Sequence, residues 1–194
     1  MVVGFQGAGG TVRWSTLPAV AEPDDPSTSD TAHLAPGASA VPDLDHGRFM
    51  AEALAEGRKA LPHCAPNPPV GCVLVRDGAV VARGHTQPPY QPHAEPMALA
   101  QLEGDLSDVV AYVTLEPCAF HQRTPSCAKE LIRRKVGAVV VAMIDPHPRN
   151  RGTGIAMLRE AGIPVETGVC EDEARADLEA RVWQPGEPAK LEGS

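Results

Sequence analysis

Residues Val70–Gly84 read Val-Gly-Cys-Val-Leu-Val, then Arg-Asp-Gly-Ala, then Val-Val-Ala-Arg-Gly. Two apolar, β-rich runs around an Asp-Gly pair predict a hairpin, because Asp-Gly supplies the positive φ angles of a tight turn. Upstream, Phe49, Met50, Ala53, Leu54 and Gly57 recur at helical spacing, with Asp45 as the N-cap. Downstream, residues 93–103 read as a helix carrying Met97, Leu99, Ala100 and Leu102. Pro96 is tolerable only in a first turn, which sets that helix to start near His93. Strand 111–115, helix 127–136, strand 139–144, helix 153–161 capped by Gly162, strand 163–167 and helix 171–182 follow in turn. The order α-β-β-α-β-α-β-α-β-α predicts an α/β fold, a mixed five-stranded sheet covered by helices on both faces.

The flanks differ from this body. Residues 1–45 hold five prolines, five glycines and many Ser, Thr and Asp, with no sustained period. Such a composition predicts a low-complexity extension over 1–45, followed by one domain over 46–183 and a C-terminal tail over 184–194. The formal charge of the 194 residues is −8, but −5 of it belongs to residues 1–45 and only −3 to the rest. The body is nearly balanced, without the basic face that supplies most nucleic-acid affinity, so no nucleic-acid partner is expected. No run of about 18 apolar residues is present, so no membrane span is expected. The N-terminal residues lack the cationic and apolar regions of a secretory signal. The expected location is the cytoplasm, where five cysteines (Cys64, Cys72, Cys118, Cys127, Cys170) point to metal binding or catalysis rather than disulfides.

The residues that carry chemistry are His93-Ala94-Glu95, then Pro117-Cys118, then Cys127 after eight further residues. One imidazole and two thiolates are the ligands that Zn2+ prefers, and three protein ligands leave a fourth position for water, as in catalytic sites. Bound metal would lower the pKa of that water toward ~7. Glu95, two residues from His93, is placed to move a proton from the water to a ring nitrogen and a leaving amine. His93 and Cys127 each stand at a helix start, where the dipole favours thiolate. A structural zinc site is the competing reading and needs a fourth protein ligand, for which His121 is the candidate. Cys64, Cys72 and Cys170 read as inert.

From Pro66 to about Gly168 the chain resembles the riboflavin-pathway pyrimidine deaminases, the diaminohydroxyphosphoribosylaminopyrimidine deaminase family. The matching stretches are Pro66-Asn67-Pro68-Pro69-Val70-Gly71-Cys72-Val73, Gly84-His85, His93-Ala94-Glu95, Tyr112-Val113-Thr114-Leu115-Glu116-Pro117-Cys118, Arg123-Thr124-Pro125-Ser126-Cys127, Asp145-Pro146 and Gly152-Thr153-Gly154. The eight-residue gap between the cysteines fits this branch, whereas transfer-RNA adenosine and cytosine deaminases use a shorter one. The resemblance implies a three-layer α/β/α cytidine-deaminase-like fold, zinc held by His93, Cys118 and Cys127, Glu95 as proton shuttle, and a homodimer or homotetramer. It further implies that Asn67 and His85 face the substrate and that Arg123 meets a phosphate.

Two departures bear on the substrate. Phe120 stands where the family has a substrate-facing histidine, and His147 where an asparagine near the ribose phosphate is common. Phe120 removes a polar contact and adds a stacking face, which suits an unphosphorylated ring at least as well. The reductase domain of bifunctional bacterial members is not expected, since 26 residues follow Gly168. The reading is a zinc-dependent hydrolytic deaminase of a small amino-substituted heterocycle, first the riboflavin-pathway phosphoribosyl diaminopyrimidine. The alternatives are a different free aminopyrimidine or purine of guanine or cytosine type, and a non-catalytic zinc-binding module.

Overall fold

The computed structural model describes residues 40–120 and 125–187. The expected extension lies outside the described residues as far as residue 39, and so do the tail from 188 on, His121 and Arg123. Five helices and five strands occur among the described residues in the expected order. They are α1 (His46–Arg58), β1 (Gly71–Arg76), β2 (Ala79–His85), α2 (Ala94–Leu99), β3 (Val109–Leu115), α3 (Cys127–Arg133), β4 (Ala138–Met143), α4 (Thr153–Glu160), β5 (Val165–Thr167) and α5 (Glu171–Leu178). None of these helices is long and apolar enough to cross a membrane.

Local chemistry sets the boundaries. The Asp45 carboxylate accepts the Arg48 N–H at 3.0 Å and opens α1. Asp77 and Gly78, at φ 51° and 71°, make the turn between β1 and β2. Helix α2 stops at Leu99, four residues short of the expected end, where the chain turns on tighter bonds from the Gln101 N–H to the Ala98 carbonyl and from the Leu102 N–H to the Leu99 carbonyl. The Arg134 guanidinium donates to the carbonyls of Leu99 (3.0 Å), Leu102 (2.8 Å) and Gly104 (3.3 Å), and the segment after α2 leaves the helical path.

The sheet order is β2-β1-β3-β4-β5. β1 runs antiparallel to both β2 and β3, while β3, β4 and β5 are parallel. β3 and β4 are buried along their whole length, which their near-continuous apolar content, rich in Val and Ala, allows between two helical layers. α1 and α5 pack on one face, and α2, with α3 and α4 beside it, on the other. A Cβ on Gly71 would lie 1.9 Å from the Ala53 carbonyl oxygen, so α1 rests directly on the backbone of β1.

This topology gathers one set of loops. The segments after β2, β3 and β4 leave the same edge of the sheet, and antiparallel β1 begins there. Residues 66–70, 86–91, 116–120 and 145–147 are therefore neighbours, at the carboxyl ends of the parallel strands where α/β sheets place their sites.

Candidate metal centre and active site

His93 is the N-cap of α2, Cys118 follows β3 through Pro117, and Cys127 is the first residue of α3. Their ligand atoms all lie within 4.8 Å of one another. His93 Nδ1 is 3.4 Å from Cys127 Sγ and 3.9 Å from Cys118 Sγ. The Cys127 N–H donates to Cys118 Sγ at 3.3 Å, so the start of α3 steadies the neighbouring sulfur. Ser126 caps α3 and also donates its hydroxyl to the Cys118 carbonyl at 2.7 Å, locking the two cysteine segments together. Hydrogen bonding from Cys127 and His93 pulls the Cys118 thiol well below its ordinary range, against burial, whereas that same exchange and burial push Cys127 up. One imidazole nitrogen and two sulfurs, one of them already thiolate-prone, fit a borderline-soft dication such as Zn2+, and they are the three ligands that the described residues bring together.

Glu95 lies in the first turn of α2 and is 4 % exposed. Burial, reinforced by the Cys118 sulfur, pushes its carboxyl up to about 7. Glu95, His93 and Cys118 border a common cavity of about 330 Å³. Asn67, Phe120 and His147, three of the residues expected to face the substrate, border it too.

His85 does not border that cavity. In the β1–β2 ladder it pairs with Gly71, whose side is covered by α1. Strand alternation therefore turns its ring to the α1 face, where Glu56 Oε1 holds Nδ1 at 2.8 Å. Thr86, the next residue, borders the cavity instead. Glu56 was legible in principle, because it falls on the helical stripe of Phe49 and Ala53 and is itself buried.

Three further residues support the site: Glu116, which lies in a stretch that carried the resemblance but was given no role there, and Asn150 and Trp183, which no sequence signal marked. Glu116 is buried, and its carboxylate accepts four backbone N–H groups, from Asp145 (3.2 Å), Gly152 (2.9 Å), Gly154 (2.9 Å) and Ile155 (3.3 Å). Burial raises its pKa against those four bonds. Asn150, fully buried, accepts the Ala119 N–H at 2.8 Å and donates to Asp145 Oδ2 at 3.1 Å. The segment after Cys118 is thereby tied to a carboxylate that borders the cavity. Trp183, beyond α5, also borders the cavity, beside Arg181 and Val182. Its place in the sequence, at the edge of an expected tail, marked none of this.

Comparison with known proteins gives a consistent set of matches. The family model described as "Cytidine and deoxycytidylate deaminase zinc-binding region" matches residues 44–143. The chloroplastic riboflavin biosynthesis protein PYRD of Zea mays is 46 % identical over 145 residues, 75 % of this chain and 37 % of the relative. Riboflavin biosynthesis protein RibD of Aquifex aeolicus is 47 % identical over 126 residues, 65 % of this chain and 35 % of the relative. The structure of Acinetobacter baumannii RibD, form 2, matches with a TM-score of 0.68 at 42 % identity, over 70 % of this chain and 38 % of that one. The chain spans little more than a third of the length of these relatives.

Proposed function

The chain belongs to the cytidine and deoxycytidylate deaminase zinc-binding family, and on that premise we propose that it is a hydrolytic deaminase of a small amino-substituted heterocycle. In this reading His93, Cys118 and Cys127 hold Zn2+, which when bound acts as a Lewis acid and lowers the pKa of water toward about 7. Glu95 takes one proton from the water and delivers it to a ring nitrogen, then carries the second proton of that oxygen to the departing amine. The ring carbon gains oxygen as its C–N bond breaks, and ammonia leaves. The observation that carries the reading is a buried carboxylate two residues from His93, facing the cavity that His93 and Cys118 also face. A non-catalytic module would have no use for it.

The first candidate substrate is the phosphoribosyl diaminopyrimidine of riboflavin biosynthesis, supported by the names of the relatives. Asn67, Phe120 and His147 are its contacts, with Arg123 for the phosphate. A free aminopyrimidine or purine is the second reading, favoured by Phe120 standing in ring contact with His147 (centroids 6.4 Å apart) rather than offering a polar group. Either reading carries a cytoplasmic enzyme, assembled as a homodimer or homotetramer, acting on a free small molecule.

Glu95→Gln tests the proposal. The variant is expected to retain stoichiometric zinc and to lose ammonia release by a factor on the order of 10²–10⁴ or more, as for a deleted general acid–base. Undiminished ammonia release in a zinc-loaded Glu95→Gln protein would overturn it.

A further inference from the structure

The cavity, about 330 Å³, is larger than one six-membered ring needs, and part of its wall is aromatic. Phe120, His147 and Trp183 follow one another along it. The ring centroids of Phe120 and His147 are 6.4 Å apart and tilted by 49°. Those of His147 and Trp183 are 6.3 Å apart and nearly perpendicular, at 72°. Both separations lie in the range at which aromatic pairs attract, and the second pair has the favoured edge-to-face tilt. The three rings come from three loops, after β3, after β4 and after α5, so the wall exists only in the folded chain.

Trp183 is held by its own turn. Its indole N–H donates to the Glu187 carbonyl at 3.1 Å, and the Glu187 N–H donates to the Gln184 carbonyl at 3.0 Å. The Gln184 amide in turn donates to the Glu179 carbonyl at the end of α5, at 2.8 Å. With its polar edge committed to that turn, the indole has only a carbon face to offer the cavity it borders.

We propose that Trp183 is a specificity-determining residue, whose indole face binds the part of the substrate that extends beyond the reacting ring. This rests on the deaminase reading for the position of the reacting ring, beside Glu95 and the His93, Cys118 and Cys127 group. The extension it fits presents a flat or C–H face, which is the shared chemistry of a fused second ring and of a sugar.

The test compares wild type, Trp183→Ala and Trp183→Phe as zinc-loaded full chains with three probes. They are cytosine, which has no extension, guanine, which has a fused ring, and the phosphoribosyl diaminopyrimidine, which has a sugar. Trp183→Ala is expected to raise KM about tenfold for an extended substrate, the scale of base–aromatic stacking, with kcat little changed. KM for cytosine stays put, Trp183→Phe recovers most of the loss, and zinc content and melting temperature are preserved. Which extended probe responds tells a ring from a sugar. An equal KM shift with and without the extension, or none with it, overturns the proposal.

A second readout needs no turnover. The chain's tryptophans are Trp14 and Trp183, so Trp14→Phe leaves Trp183 as the fluorescent reporter. In a Trp14→Phe/Glu95→Gln protein an extended probe is expected to quench the emission, and failure of all probes to do so overturns the proposal. Quenching of Trp183 by the extended probes, when none of the three probes yields ammonia with the zinc-loaded wild type, supports the Trp183 site and counts instead against the deaminase reading.

Discussion

At the scale of single residues, the site depends on groups that touch no substrate. Asn150 is fully buried and uses its amide in both directions, taking the Ala119 N–H and giving a hydrogen bond to Asp145. Burial raises the Asp145 carboxyl, and the bonds from the His147 N–H and Asn150 oppose that shift. Asn150→Ala strands one donor and one acceptor, and is expected to cost about 1–3 kcal/mol of stability. Asn150→Asp keeps the partner of Ala119 but sets a second carboxylate against Asp145, and is expected to be no better. The exchange Asp145→Asn/Asn150→Asp restores a donor facing an acceptor and should recover most of the loss. Urea unfolding of the four proteins measures this. An Asn150→Ala midpoint equal to wild type would mean that the two bonds contribute nothing.

At the scale of elements, the metal group is a meeting of helix starts and strand ends. α2 brings His93 and Glu95, α3 brings Cys127, and β3 delivers Cys118 through Pro117. The start of α4 presses on this junction from behind, with its amides on Glu116 and the backbone of Gly154 against Pro117. A Cβ at Gly154 would lie 2.0 Å from the Pro117 carbonyl oxygen, a distance real side chains do not reach. Gly154→Ala must therefore shift α4 or the Pro117-Cys118 segment, and is expected to cost about 1–3 kcal/mol as overpacking does. Because Pro117 adjoins a proposed ligand, the same variant should bind zinc more weakly. Metal analysis after dialysis, alongside denaturant unfolding, checks both parts, and wild-type zinc retention would show that the junction tolerates the shift.

At the scale of the whole molecule, the core and the metal group are nearly separate. The buried centre is mostly aliphatic, from Val73 and Leu74 in β1 through Val110 and Val113 in β3 to Val139–Val141 in β4, with Phe49 and Tyr112 as its buried rings. The ligands sit at its edge. Chelation is therefore expected to leave the far-ultraviolet circular dichroism almost unchanged while lowering the melting temperature, because up to ~4 kcal/mol of stability from linkage is lost relative to free zinc a thousandfold above Kd. A midpoint indifferent to chelator and to added zinc would remove Zn2+ as a stabilising ligand. The sequence by itself determined the element order, the hairpin turn at Asp77-Gly78 and the caps at Asp45 and Gly162, because periodicity, turn chemistry and capping are local. It also determined which residues could serve as metal ligands, because imidazole and thiol chemistry travels with the residue. The partners of those elements were decided only in three dimensions. Arg134 came to hold the carbonyls at and beyond the end of α2, strand parity sent His85 to Glu56 and Thr86 to the cavity, and the chain beyond α5 returned Trp183 to the wall. Each of these depends on a contact between residues far apart in the chain or on which face a strand turns inward, and neither is written in any short stretch of residues.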